Sequence, residues 1–237
     1  MALHRKMAAL MRWAPDVAVI SECARPDILA ARGGPEFAAD KCVWVGENVN
    51  KGLGVFGFGE TGVALARPHK GYLRHIAPVA ITGAMTFNLL AVWAQNASGL
   101  TNRKHQLGPL RRALNAYGDF IGSRTIVGGD LNNNVFWDRP GWRVNHAAAV
   151  ARLEAHGLVS AYHERMGEAQ GSETLPTLYW RDRKKDGPRY HIDYAFLPQA
   201  WLAAIRRFEV GSFEEWCVKG LSDHAPLLLD LDPDLID

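Results

Sequence analysis

TIVGGDLNNN (residues 125–134) runs from a β-branched stretch into two glycines, an aspartate and three asparagines. Thr125, Ile126 and Val127 suit a pleated, half-buried strand, whereas Asp130 and the amides after it suit turns, where such side chains bond nearby backbone. A strand that ends this way delivers a carboxylate and several amides to one end of a sheet. Comparable apolar or alternating runs lie at VAVIS (17–21), KCVWVG (41–46), GLGVFGF (52–58), GVALAR (62–67), TFNLLAVWA (86–94), HIDYAFL (191–197) and APLLLDL (225–231). Helical spacing occupies 4–13, 103–121 despite Gly108 and Pro109, and 145–157, where Gly157 makes a C-cap. Strands dominate, with helices between some of them. The mixture predicts packed β-sheets with helices on their outer faces, an α/β layered sandwich.

The chain has 237 residues, 48% of them hydrophobic and 22% charged, an ordinary globular composition. It shows no internal repeat and no Pro/Gly/Ser-rich linker, so one domain over 1–237 is expected. Nothing approaches the roughly 18 consecutive apolar residues of a membrane span. Charges are scattered through MALHRKMAALMRW, unlike a signal peptide. A soluble, cytoplasmic protein, monomeric by default, is the expectation. Cys23, Cys42 and Cys217 are odd in number, far apart and in no CxxC pairing, so they indicate neither a disulfide framework nor a cysteine zinc site. The net charge of +2 is too mild to announce a nucleic-acid binder. Its distribution says more: RDRKKDGPR (181–189) carries five basic and two acidic residues, and TNRKHQLGPLRR (101–112) four basic and no acidic ones.

Polar groups recur at, beside or within the apolar runs: Glu22 after VAVIS, Asp130 and Asn132 after TIVGG, Asp193 inside HIDYAFL, Asp223 and His224 before APLLLDL. Each alone reads as turn chemistry or a solvated strand end. Together they read differently, because Asp193 between Ile192 and Tyr194 is costly to bury without a partner, and a histidine is the natural one. An aspartate that accepts an imidazole N–H fixes the ring's tautomer and leaves its other nitrogen for a substrate; Asp193 and His224 supply both roles. Glu22 and Asp223 make a hard oxygen site of few carboxylates, the kind that suits Mg²⁺ with waters and phosphate oxygens.

SEC (21–23) after PDVAVI, GGDLNN (128–133), HIDYAFLP (191–198) and SDHAPLLLDL (222–231) resemble, in this order, the motifs of the endonuclease/exonuclease/phosphatase family, the deoxyribonuclease I-like metal-dependent phosphoesterases. The resemblance spans about Pro15 to Leu231. It implies a four-layered α/β sandwich, two packed, mostly antiparallel β-sheets flanked by helices. It also implies a Mg²⁺-dependent phosphodiester hydrolase, with Mn²⁺ as a second possible ion, acting on DNA or RNA. By the same resemblance Glu22 is a metal ligand with Asp223 near the ion, and Asp130 activates or orients the attacking water. Asn132 bonds the scissile phosphate, and His224 is the catalytic histidine, paired with Asp193. Which of His224 and Asp130 is the general base stays open. Asn96, in VWAQNAS (92–98), fits an amide contact to the phosphate, while Trp93 stands where the family has a Tyr or His and reads as core.

One departure is larger. The family opens with a strand ending in a WNxN-type asparagine that helps to form the metal site, followed by a helix, whereas MALHRKMAAL already reads as that helix. Either the natural chain starts further upstream, the favoured reading, or this version lacks a strand and one site group. The basic loop leads directly into HIDYAFL, so Arg183, Lys184 and Lys185 are expected at the rim of the site, where they would contact a polyanion. Trp137 and Trp180 could stack on bases or anchor their loops. Two other readings stand beside the nuclease: a hydrolase of small-molecule or lipid phosphates, and a catalytically impaired, polyanion-binding relative.

Overall fold

The computed structural model describes residues 3–95, 104–180 and 184–236; the expected phosphate contacts Asn96 and Arg183 lie outside them. Among the described residues thirteen strands and five α-helices follow one another along the chain. Helix α1 (Leu3–Met11) leads to strand β1 (Val17–Cys23), then α2 (Pro26–Ala31), β2 (Cys42–Asn48), β3 (Lys51–Gly57), β4 (Gly62–Leu65), β5 (Ile76–Thr82) and β6 (Phe87–Trp93). Next come α3 (Pro109–Ala116), β7 (Thr125–Asp130), α4 (His146–Glu154), β8 (Leu158–Ser160), α5 (Ala161–Met166), β9 (Leu178–Tyr179) and β10 (Arg189–Tyr190). Strands β11 (Asp193–Pro198), β12 (Ile205–Val210) and β13 (Leu227–Leu231) complete the order.

Six strands form one sheet, ordered β4-β5-β6-β7-β11-β8, in which only β6 and β7 run parallel. Their crossover carries α3, as a parallel connection requires. Alternation along β6 builds two cores at once. Leu90 and Val92 face α3 and α4, with Leu114, Leu153 and Phe196; Leu89, Ala91 and Trp93 face a second β layer, with Val45, Leu53 and Val55. That second layer is a three-stranded sheet, β1-β3-β2, and a separate antiparallel pair, β12-β13. On its far side α1 packs Leu10 with Ala18 and Trp216, and Leu3 with Cys23 and Phe56. Helices, sheet, sheet and helix make the four-layered sandwich expected from the sequence.

Local sequence explains the helices that matter for the site. Pro109 opens α3 in its first turn, and Leu110, Ala113 and Leu114 bury one stripe. The N-terminus of α4 is held by Asp138, whose two carboxylate oxygens accept the backbone N–H groups of His146 and Ala147 at 2.6 and 2.8 Å. Helix α4 ends at Glu154 with Ala155 as its cap, earlier than the Gly157 cap expected from the sequence, and Gly157 at φ +75 turns the chain two residues later. The helix expected over 103–121 is shorter, because Gly108 and Pro109 start it and Tyr117 ends it. Among the described residues no helix is long and apolar enough to cross a membrane.

Candidate active site

The stretch GGDLNNN explains itself once its neighbours are placed. Asp130 is the last residue of β7 and lies directly opposite Asp193, the first of β11. Gly129 has φ +130, and a Cβ there would stand 2.1 Å from the Val92 carbonyl oxygen, so only glycine lets β7 pass β6 on its way to Asp130. Asn132, at φ +47, then folds back: its backbone N–H donates to Asp130 Oδ1 at 2.8 Å and its Nδ2 to Oδ2 at 2.9 Å. Asn134 anchors the loop from beneath, its Nδ2 standing 3.0 Å from both the His191 carbonyl and the Tyr194 hydroxyl and 3.1 Å from Glu173. Its role was not legible in the sequence, since its partners come from two distant segments, one at Glu173 and one at His191–Tyr194.

Asp193 is fixed twice. Its backbone N–H donates to Thr177 Oγ1 at 3.0 Å, and its Oδ2 accepts from Nδ1 of His224 at 2.8 Å. The pairing expected from the buried acid in HIDYAFL is therefore present. His224 sits where the chain bridges to Leu178 just before β13. One donor atom from each of Asp130, Asp193 and His224 lies within 4.8 Å of the others. Asp130 is only 4% exposed, and burial, then the charge of Asp193, holds its carboxyl far above the usual carboxylate range. Burial pulls His224 down, but Asp193, Asp130 and Asp223 overrule it and raise the imidazole.

Glu22 and Asp223, the expected metal ligands, border this group. Glu22 is the next-to-last residue of β1 and lies within its bulge, with φ +55, a left-handed conformation uncommon for a non-glycine residue. Its Oε1 lies 3.0 Å from Lys51 Nζ, a partner that nothing in the sequence announced. Its charge also acts on Asp130, and both residues line one cavity with Asp193 and His224. Asp223 Oδ1 is buried and finds no hydrogen-bond partner among the described residues. The donor atoms that stand within reach of one another are those of Asp130, Asp193 and His224, while Glu22 lines the same cavity and Asp223 keeps an orphaned oxygen beside His224; such oxygen-rich surroundings fit a hard divalent cation.

The basic loop is tied to this site through the backbone. Strands β9 and β10 pair as a short antiparallel ribbon, and the Tyr179 N–H donates to the Asp223 carbonyl at 2.8 Å. Lys184 is exposed, Lys185 pairs with Glu214, and Arg189 donates to the Lys185 carbonyl at 3.0 Å. Trp137 packs on Tyr190 with ring centroids 4.7 Å apart, and Trp180 stands 6.5 Å from the same ring, half exposed. Phe136 is the most exposed of the group at 73%. Trp93 is buried against His75, as its reading as core requires.

No protein-family model matches the chain, and no curated protein matches it either. Solved structures do. An AP endonuclease from Archaeoglobus fulgidus superimposes with a TM-score of 0.68 at 16% identity, over 97% of this chain and 94% of that one. The 3'-5' exonuclease NExo from Neisseria meningitidis gives 0.63 at 16%, over 98% and 96%. The endonuclease domain of TRAS1, a telomere-specific non-LTR retrotransposon, gives 0.61 at 17%, over 97% and 91%. The layers, their order and this likeness together give the chain the deoxyribonuclease I-like fold of the endonuclease/exonuclease/phosphatase structures.

Proposed function

We propose that the protein is a divalent-cation-dependent phosphodiesterase that hydrolyses nucleic acid. The observation that carries this reading is the Asp193–His224 pair set beside buried Asp130 at the ends of two neighbouring strands. A phosphodiester's anionic oxygens repel a nucleophile, so hydrolysis needs a water held in line, a group to take its proton and donors around the phosphate. With Nδ1 engaged by Asp193, the other nitrogen of His224 is left to work on a substrate. Asp130 orients or deprotonates the water, and Asn132 can turn its amide from Asp130 to a phosphate oxygen. Glu22 and Asp223, with the adjoining carboxylates, would hold Mg²⁺ or Mn²⁺, which when bound supplies charge neutralisation at the phosphate and its leaving group.

Nucleic acid is favoured as substrate because the ribbon fixed to Asp223 brings aromatic rings and cations together. Phe136, Trp137, Trp180 and Tyr190 offer stacking faces, and Lys184 and Lys185 a charge for a phosphate backbone; Arg183 and Asn96 are assigned the same substrate-binding role. The structural neighbours point the same way, among them a Neisseria 3' phosphatase bound to a product DNA hairpin.

The test is hydrolysis of bis(p-nitrophenyl) phosphate, and of labelled DNA and RNA, with Mg²⁺ or Mn²⁺ and with EDTA. Turnover is expected to need the metal and to fall about 10²–10⁴-fold in His224→Ala and in Asp130→Asn, while both variants still bind the nucleic acid. Full turnover in EDTA, or in both variants, refutes the reading. A second reading, polyanion binding without turnover, draws on the Lys51 ammonium already paired with Glu22. It predicts retention of nucleic acid through the ribbon and no metal-dependent cleavage.

A further inference from the structure

Beneath the candidate site lies a buried polar cluster that the proposed reaction does not use. Asn134 is its centre and is only 4% exposed. Its Nδ2 stands 3.1 Å from both carboxylate oxygens of Glu173, and one of these, Oε1, lies 3.2 Å from His163 Nε2. The Tyr194 hydroxyl donates to the His191 carbonyl at 3.0 Å, so it meets Asn134 as an acceptor. The Glu173 side chain is 4% exposed and that of His163 10%. Burying a carboxylate is costly unless its neighbours answer the charge. A loop that needed only an anchor could use a neutral amide.

The connections of the cluster give this carboxylate a purpose. An ionised carboxylate accepts and never donates, and Glu173 stays ionised because the groups around it donate to it, against the burial that opposes its charge. Asn134 must therefore turn its NH2 toward Glu173, His191 and Tyr194, which leaves its Oδ1 to accept the Phe136 N–H at 2.9 Å. That one orientation closes a ring. Asp130 and Asp193 face each other across β7 and β11, and Asn134, in the loop that follows Asp130, grips the His191 carbonyl and the Tyr194 hydroxyl on either side of Asp193. Leu131 adds a rung inside the ring, its N–H donating to the Ile192 carbonyl at 2.9 Å. Glu173 comes from the segment between α5 and β9, so it braces the ring from outside.

We propose that Glu173 is a positioning residue for the candidate site: through Asn134 it fixes where Asp130 stands relative to the Asp193–His224 pair. Its effect on turnover rests on the phosphodiesterase reading of the same site. Reacting groups tolerate little error, since a misplacement of about 1 Å costs on the order of 100-fold in rate. Both carboxylate oxygens stand 3.1 Å from Asn134 Nδ2, so whichever end of a glutamine at 173 took the NH2 would set a donor against the NH2 of Asn134. The ring would lose its single orientation. Glu168 supplies the comparison. It braces the same segment, accepting from the Thr174 N–H at 2.8 Å and the Tyr162 hydroxyl at 2.7 Å, and among the described residues it makes no bond to Asn134.

The test reads the Asp193–His224 pair directly, without metal or substrate, so it decides whether or not turnover is found. Proton NMR of the His224 Nδ1–H, moved downfield by its bond to Asp193, is compared in the unsubstituted protein, Glu173→Gln and Glu168→Gln, alongside kcat and KM on labelled nucleic acid. Glu173→Gln is expected to shift and broaden that resonance and to lower kcat about 10–100-fold, with KM changed by less than about twofold. Glu168→Gln is expected to lower the urea midpoint while leaving the resonance and kcat as they are. Asn134→Ser, which keeps Glu173 and removes the amide, is expected to shift the resonance in the same way, and it decides the matter where Glu173→Gln does not fold. An unmoved resonance in folded Glu173→Gln or Asn134→Ser overturns the proposal. So does an equal shift in Glu168→Gln, which would reduce Glu173 to an anchor of its loop. A resonance that moves as expected in a protein that hydrolyses nothing even when unsubstituted refutes the hydrolysis and upholds the positioning.

Discussion

The six-stranded sheet and the split layer facing it are made from similar residues and hold their side chains very differently. Leu90, Val92, Val127 and Phe196 of the complete sheet are fully enclosed, with helices on one side and β strands on the other. Leu227, Leu228 and Leu229 on β13 are half-buried beside an open slot. The site straddles the two. Asp130 and Asp193 come from the complete sheet, Glu22, Asp223 and His224 from the split layer. One half of the candidate site therefore stands on an enclosed sheet, and the other on elements whose ladder edges are open among the described residues.

The largest expected effect breaks the complete sheet. Leu90→Ala removes a fully buried side chain flanked by Val127 and Leu114, and the cost is expected to be about 2–5 kcal/mol, the range for a leucine whose surroundings cannot collapse. Urea unfolding of the two proteins at neutral pH measures it; a loss below about 1 kcal/mol would show that this sheet is no tighter than its partner.

That contrast was only partly legible in the sequence. The eight apolar runs all became strands, because alternation and β-branching report burial directly. Strand β5 went unread since Pro78 interrupts IAPVAIT, and it tolerates the proline while pairing on both sides. Strand β12 went unread since Arg206, Arg207 and Glu209 mask its alternation. At the site, Asp193 and His224 could be matched because a buried acid demands a partner. The cluster under Asn134 could not, because His146, His163, Glu173 and His191 look like solvated polar residues until tertiary contacts enclose them. Lys51 beside Glu22 escaped for the same reason.

This cluster gives the complete sheet a weakness that the apolar residues lack. His146 is 1% exposed and packs at a tilt against the Tyr194 ring, and burial takes its pKa from 6.5 down to about 4. The folded protein therefore holds it neutral, while the unfolded chain takes up a proton below pH 6.5, so stability falls as the pH drops from 6.5 toward 4. The loss is expected to reach about 3 kcal/mol across that window. Glu173 adds a later step: burial raises it, but its bonds from His163, backbone N–H groups and Asn134 prevail and bring it to about 2. Its contribution is present above its ordinary value of 4.5 and is lost as the pH falls from there toward 2. Urea midpoints at pH 7, 5.5 and 4.5 should decline for the natural chain and flatten in His146→Gln; equal slopes would remove His146 as the cause.

The smallest expected effect sharpens the comparison most. Leu229 packs against the core between the layers from a strand with one edge open. Leu229→Ala is therefore expected to cost about 1 kcal/mol or less, since the side chain already meets the slot and the cavity it leaves merges with one that is there. Urea unfolding of both substituted proteins beside the unsubstituted one measures the pair. A Leu229→Ala penalty equal to that of Leu90→Ala would show that β13 is packed as tightly as the six-stranded sheet, and a small one would show that the layers differ in how far they enclose a leucine and not in the leucines they carry.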